Sequence, residues 1–205
     1  KILTGQVIPD AGRVAWQPHV SVGYLDQYAE IDRHLTIEEF LKSAFLPLYD
    51  KERRMMQLYE KMSGGDADVK LLNQAAMYQE QLESSGFYRI DTRIQQVANG
   101  LGLLAIGLDR PIAEMSGGQR AKVILSKLLL EQPDVLLLDE PTNFLDKEHI
   151  AWLSEYLAGL ENAFFIVSHD YAFLDKVANR ICDIENKSID KYYGTYSEFL
   201  SKKTL

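Results

Sequence analysis

The segment Val135-Leu136-Leu137-Leu138 is a continuous apolar run that ends in two acids, Asp139 and Glu140. A strand with one wet face alternates apolar and polar residues. A strand apolar on both sides belongs inside a parallel sheet that is covered on both faces. Helices must supply that cover, and the rest of the C-terminal half provides them. Residues 116–130 read as a helix opened by glycines, 147–160 as a second and 171–179 as a third. Residues 163–167 read as another buried strand. Residues 181–184 and 189–193 read as a hairpin through Glu185-Asn186-Lys187-Ser188. Strands alternating with helices predict an α/β core built on a parallel sheet.

The first half differs. Pro9-Asp10-Ala11-Gly12 is a turn signal, and Val14 and residues 20–25 read as short strands. Residues 35–48 have helical apolar spacing, opened by Thr36 with Glu38 and Glu39 in the first turn. Residues 49–62 continue as a charged helix with Met55, Leu58, Tyr59 and Met62 on one face. Ser63-Gly64-Gly65-Asp66 breaks it, and 69–82 is the next helix, which makes an αα-hairpin. A helix over about 91–101 leads back to the main body. The expected organisation is a core remnant at 1–48, an inserted helical arm at 49–90, a helical subdomain at 91–132 and the main core at 133–205.

The 205 residues carry a formal charge of −8, which argues against broad, charge-driven nucleic-acid binding and leaves local contacts open. No apolar run approaches the roughly 20 residues that span a bilayer, and no secretory signal is visible. A single cysteine, Cys182, cannot close an internal disulfide and fits a reducing cytoplasmic setting.

A buried strand delivers Asp139 and Glu140 to the carboxyl edge of the sheet, where α/β proteins bind ligands. There Asp139 suits Mg²⁺ and Glu140 suits activation of an attacking water. A strand ending in a solvated acidic turn explains the pair equally well. Met115-Ser116-Gly117-Gly118-Gln119 lies at a helix start, where backbone N–H groups and a hydroxyl can face an anion. Asn143, Phe144, Leu145 and Asp146 follow the acids directly. His169 ends the next strand, and Gln27 follows the first.

In this order and spacing the motifs resemble those of an ATP-binding-cassette ATPase. The resemblance implies Gln27 as the Q-loop glutamine, touching Mg²⁺ and water. Ser116, Gly117, Gly118 and Gln119 are then the signature, with Met115 in place of the usual leucine. Asp139 and Glu140 are the Walker B acids, Asp139 holding Mg²⁺ and Glu140 acting as catalytic base. Asn143 to Asp146 form the D-loop, with Asn143 and Asp146 at the nucleotide, and His169 is the catalytic switch histidine. Asp-Glu-Pro-Thr-Asn before Leu145-Asp146 is similar to the ABC-F group, although Phe144 stands where that group commonly has histidine. The helical hairpin resembles the arm of those proteins, and Tyr193 to Leu200 resembles the end of their first cassette.

No G-x-x-x-x-G-K-[ST] occurs in the chain. Lys1 to Gly5 resembles the end of the helix that follows that loop, so the chain is expected to begin just after the phosphate-gripping segment. Each lost bond to a charged phosphate is worth about 1.5–3 kcal/mol, so the 205 residues alone are expected to hydrolyse no ATP. In the complete protein the resemblance implies head-to-tail pairing with a second cassette, ATP and Mg²⁺ as ligands, and a ribosomal role touching rRNA or tRNA, in some members with antibiotic protection. It implies no membrane insertion. Lys51, Arg53, Arg54 and Lys61 on the first arm helix fit RNA contact or a salted, solvated face equally. The alternatives are the nucleotide-binding subunit of a membrane transporter, a folded scaffold without a nucleotide site, and a chromosome-maintenance ATPase, for which the insertion is too short.

Other residues read more plainly. Met62-Ser63-Gly64-Gly65 repeats the signature letters but reads as a loop. His19, His34 and His149 lack a second ligand at metal spacing and read as surface or capping residues. Met55, Met56 and Met62 read as hairpin packing, Trp16 and Trp152 as partly buried, and Cys182 as core.

Overall fold

The computed structural model describes residues 2–26, 31–64 and 68–203. Strands β1 (Val22–Tyr24), β2 (Val135–Asp139) and β3 (Ala163–Val167) form a parallel sheet in that order, with Val22 beside Val135 and Asp139 beside Val167. Leu136, Leu137 and Leu138 are all buried, so both faces of β2 are covered, as its unbroken apolar run requires. Helices α1 (Ile37–Lys42), α2 (Leu46–Ser63), α3 (Val69–Ser84), α4 (Ile90–Gly100) and α5 (Gly117–Glu131) lie between β1 and β2 in the chain. Helices α6 (Lys147–Ala158), α7 (Tyr171–Val177) and α8 (Tyr196–Lys203) follow β2, and the antiparallel pair β4 (Arg180–Glu185) and β5 (Ser188–Tyr193) precedes α8.

The sheet is clasped at its entrance. The backbone N–H and hydroxyl of Ser21 both donate to Asp134 Oδ2, at 2.8 and 2.6 Å, and the Asp134 N–H donates back to the Ser21 hydroxyl at 2.9 Å. These bonds hold the Asp134 carboxyl below its ordinary range. In β1, a Cβ on Gly23 would come within 2.6 Å of Leu128 and Pro133, so only glycine lets this strand lie so close to α5.

The predicted helix over 35–48 is divided. Thr36 and Glu39 form a capping box that starts α1, but the α-helix ends at Lys42, passes through a 3₁₀ turn (Ser43–Phe45) and restarts with Pro47 in its first turn. Proline has no N–H and suits a first turn, not an interior. The α2–α3 hairpin is sealed by Met55, Leu58, Ala75 and Leu82, and the Tyr59 hydroxyl donates to Gln79 Oε1 at 3.2 Å. Met55 is buried and Met62 partly so, but Met56 is exposed. Gly64 terminates α2, and Gly65 lies outside the described residues.

Several expectations are corrected. Val14 lies in irregular chain, and β1 is confined to three residues. β3 is not buried on both faces: Phe164 and Ile166 pack inward, while Phe165 and Val167 are 56% and 62% exposed. Its composition is apolar throughout, but only one of its faces meets a packed layer. Cys182 is exposed, on a strand that among the described residues pairs only with β5. Trp16 is exposed, its indole donating to the Leu3 carbonyl at 3.2 Å. Trp152 is partly buried and stacks on Tyr156 with ring centroids 5.0 Å apart. The hairpin turn is a tight two-residue loop in which Asn186 and Lys187 both have positive φ, the hand that matches strand twist.

Candidate active site

β2 carries its chemistry at the carboxyl edge of the sheet. Asp139 ends the strand, and its negative charge, after burial, raises the Tyr24 phenol above its ordinary value, with Asp26 adding to it. Glu140 then turns sharply. Its φ is +47°, a left-handed conformation that side-chain-bearing residues rarely adopt, and its N–H donates to the Val167 carbonyl of β3 at 2.8 Å. The turn swings its carboxylate toward His169. Oε1 lies 3.4 Å from His169 Nε2, and Oε2 accepts the His169 N–H at 3.4 Å. At 3.4 Å the ring nitrogen is within ion-pair range of Oε1 but is not aligned for a hydrogen bond. Oε1 is thus a buried carboxylate oxygen with no hydrogen-bond partner. The His169 side chain is 91% exposed, so this oxygen faces an accessible imidazole. Asp170 caps α7 by accepting the Phe173 N–H at 3.0 Å, which fixes the loop that presents His169.

A second group gathers at the start of α5. Ser116 is the N-cap: its hydroxyl accepts the Gln119 N–H at 3.2 Å, and Gln119 Oε1 accepts the Ser116 N–H at 3.0 Å. Arg120 donates to the Met115 carbonyl at 2.6 Å and pins the approach. The first-turn amides of Gly117 and Gly118 follow the cap. Nothing stands within 4 Å of a Cβ placed on Gly117, and the nearest atom to one on Gly118 is Phe144 Cδ1 at 3.7 Å. The aromatic at the departed position therefore packs the Asn143–Asp146 turn against the start of α5. Asn143 is exposed, and Asp146 caps α6.

Asp139, Glu140 and His169 are thus brought to one edge, and Ser116, Gly117, Gly118 and Gln119 adjoin the turn of Asn143 and Asp146. Gln27 lies outside the described residues. Reading the sequence missed His149 as a partner of this turn. The visible sign is its place three residues after Asp146, within reach of a helix-capping carboxylate.

The donor set at the edge fits Mg²⁺ and not zinc. Among the described residues no three of His, Cys, Asp or Glu converge. Mg²⁺ takes one or two carboxylates and fills its remaining positions with water and phosphate oxygens, whereas zinc requires at least three protein ligands.

Comparison with known proteins bears on the family of the chain. The ABC transporter family model matches residues 1–143. The chain is 47% identical over 201 residues to the uncharacterized ABC transporter ATP-binding protein YfmM of Bacillus subtilis, covering 97% of this chain and 39% of that protein. It is 33% identical to ABC transporter F family member 2 of Arabidopsis thaliana, over 99% of this chain and 31% of that one. It is 34% identical to the energy-dependent translational throttle protein EttA of Escherichia coli K12, over 94% of this chain and 34% of that one. The chain therefore spans between about a third and two fifths of these relatives. Among solved structures, RNase-L Inhibitor superposes with a TM-score of 0.62 at 23% identity, over 98% of this chain and 33% of that one, which shows the shared fold. The chain is an ABC ATPase cassette domain and belongs to the ABC transporter family, with ABC-F proteins among its relatives.

Proposed function

We propose that the chain is the ATP-hydrolysing cassette of an ABC-F protein that works in the cytoplasm on the ribosome, in translation or in protection from ribosome-directed antibiotics. The observation that carries the chemistry is the Glu140 carboxylate, turned by a left-handed backbone so that an unpartnered oxygen faces His169. In this reading Asp139 holds Mg²⁺, which would neutralise charge on the phosphates of ATP, and Gln27 approaches the same ion. Glu140 takes a proton from the attacking water through its free oxygen, and His169 stands where the γ-phosphate charge develops. Ser116 and the Gly117 and Gly118 amides cover nucleotide held by a second cassette, with Gln119 fixing Ser116 through the capping box and Asn143 and Asp146 completing that face. Supplying the base in a fixed position contributes on the order of 10²–10⁴-fold.

The ribosomal assignment rests on the name of EttA, a translational throttle, and on the α2–α3 hairpin. Among the described residues no helix is long and apolar enough to cross a membrane. Glu140→Gln in the intact protein is the test. It should lower ATP hydrolysis by at least about 10²-fold, keep ATP bound and hold the protein on ribosomes during sedimentation. Wild-type turnover in that variant removes Glu140 as base. ATP-dependent recovery with membrane proteins instead of ribosomes transfers the chain to the transporter reading.

A further inference from the structure

The first two residues of α5 have no side chains with which to interlock. Nothing lies within 4 Å of a Cβ placed on Gly117, and the single atom that near to one on Gly118, among the described residues, is Phe144 Cδ1 at 3.7 Å. Phe144 also walls a small apolar cleft with Leu25 just after β1, Ala121 and Leu125 of α5, and Pro141 and Leu145 of its own turn. Leu25, Ala121 and Leu125 are buried, whereas Phe144 keeps 39% of its surface exposed. The ring therefore lies where the end of β1, the first turns of α5 and the turn after β2 meet. Its own segment is tightly folded. The Glu140 carbonyl accepts the Asn143 N–H at 3.3 Å, and the Thr142 carbonyl accepts the Leu145 N–H at 3.0 Å. Two linked turns thus run from Glu140 to Leu145, and a shift of Phe144 along α5 is passed to the peptide that carries Glu140.

We infer that Phe144 is a positioning residue whose ring sets the distance between the Ser116–Gly118 cap and the turn that follows Glu140. It thereby keeps the face that meets a second cassette's nucleotide in register with the base that acts on this cassette's own. The inference rests on the ATPase reading above. Glycines let a backbone approach an anion closely, but two in succession also leave a helix start that packing does not fix. A flat ring seated against an apolar cleft supplies the missing contact, because close-packed side chains resist displacement. Phe144 acts through Ser116, the two glycines and Glu140; it takes no proton and holds no phosphate itself. Its loss should therefore slow turnover even in chains that remain fully folded.

The experiment uses the intact protein, with kcat and KM for ATP measured well below the thermal midpoint of every variant. Phe144→Ala ends the side chain at Cβ and removes the contact. Phe144→Leu keeps a Cδ atom at the same bond distance from the backbone as the one that meets Gly118, and keeps an apolar group in the cleft. Phe144→Ala is expected to lower kcat about tenfold, the scale of a small misplacement, with KM near wild type. Phe144→Leu should recover most of the rate. Wild-type kcat in Phe144→Ala, whatever its thermal midpoint, would mean that the ring only stabilises the fold and would overturn the inference. No recovery in Phe144→Leu would overturn it as well. NMR of glycine-labelled protein tests the contact apart from hydrolysis. The ring current of Phe144 should displace the Gly118 amide proton, so this resonance should move in both variants, and further than that of Gly117. An unmoved Gly118 resonance refutes the contact. A wild type that hydrolyses no ATP while Gly118 responds rejects the ATPase reading on which the inference rests.

Discussion

Glu140 should be less stable at its own position than glycine or alanine would be. Its φ of +47° places a residue with a Cβ in the left-handed region, which costs about 1–2 kcal/mol. Glycine removes that cost but brings back about 0.5–1 kcal/mol of chain entropy in the unfolded state. Glu140→Gly should therefore exceed Glu140→Ala by about 1 kcal/mol. At an ordinary helical position the sign is opposite. Ala76 lies on the exposed face of α3, and Ala76→Gly should lose about 1 kcal/mol. The carboxylate adds to the imbalance. Its Oε1 is buried with no hydrogen bond, a state that costs about 1–3 kcal/mol. The facing His169 is too exposed to return much of it, since surface pairs contribute about 0–1 kcal/mol. Glu140→Ala should accordingly be as stable as wild type or more so.

Scanning calorimetry on the wild type, the two Glu140 variants and Ala76→Gly resolves these terms. For a chain of this size 1 kcal/mol moves the midpoint by roughly 2–4 °C. The expected order is Glu140→Gly highest, then Glu140→Ala, then wild type, with Ala76→Gly below wild type. Glu140→Gly melting below Glu140→Ala by the margin that Ala76→Gly loses would refute the strain argument. That result would mean an ordinary backbone at this position, and the left-handed turn could no longer explain why the carboxylate faces His169.

Gly100→Ala would bring a Cβ to 2.0 Å from the Trp152 indole, so it should cost about 1–3 kcal/mol by chemical denaturation. Adding Trp152→Ala to it should be clearly less than additive, because the clash disappears with the ring. Burial raises the phenol of Tyr156, whose hydroxyl donates to the Leu129 carbonyl at 3.2 Å. A raised folded value means that this stability is complete below the ordinary value of 10.0 and is lost as pH climbs from there through the folded value. Tyr156→Phe should flatten the alkaline branch of a stability–pH curve and lose about 1 kcal/mol near neutrality. An unchanged alkaline branch would remove the burial argument.

Much of this arrangement is legible in residue order. The run before Asp139 predicts a strand covered on both faces, and β2 is one. The pairs Thr36 with Glu39 and Ser116 with Gln119 carry the spacing of a capping box, and both boxes form. The part that is not legible depends on what packs where. Phe165 and Val167 look as buried as Leu136, yet composition cannot say which side of a strand has a neighbour. The left-handed turn at Glu140 contradicts local preference, since glutamate has no bias toward positive φ. It is imposed by the 2.8 Å bond from the Glu140 N–H to Val167, a contact between distant segments. His149 escapes notice for the same reason: its partners Lys122 and Gly102 are remote in sequence and its ring looks like any surface histidine.

The glycines that receive rings also constrain how the hairpin can act on the site. α2 joins the remaining helices through the 3₁₀ turn Ser43–Phe45, and α3 through the 3₁₀ turn Phe87–Arg89 and α4. α4 in turn rests on α6 through Gly100 under Trp152, with Gly102 under His149 just beyond its end. Arg93 ties the same helix to α5 by donating to the Leu130 carbonyl at 3.2 Å. Adjacency alone transmits nothing if side chains can yield. Here the receiving residues have no side chain, and the rings already lie at closest approach to backbone. A shift of α4 toward α6 must therefore move Trp152 and His149 with it.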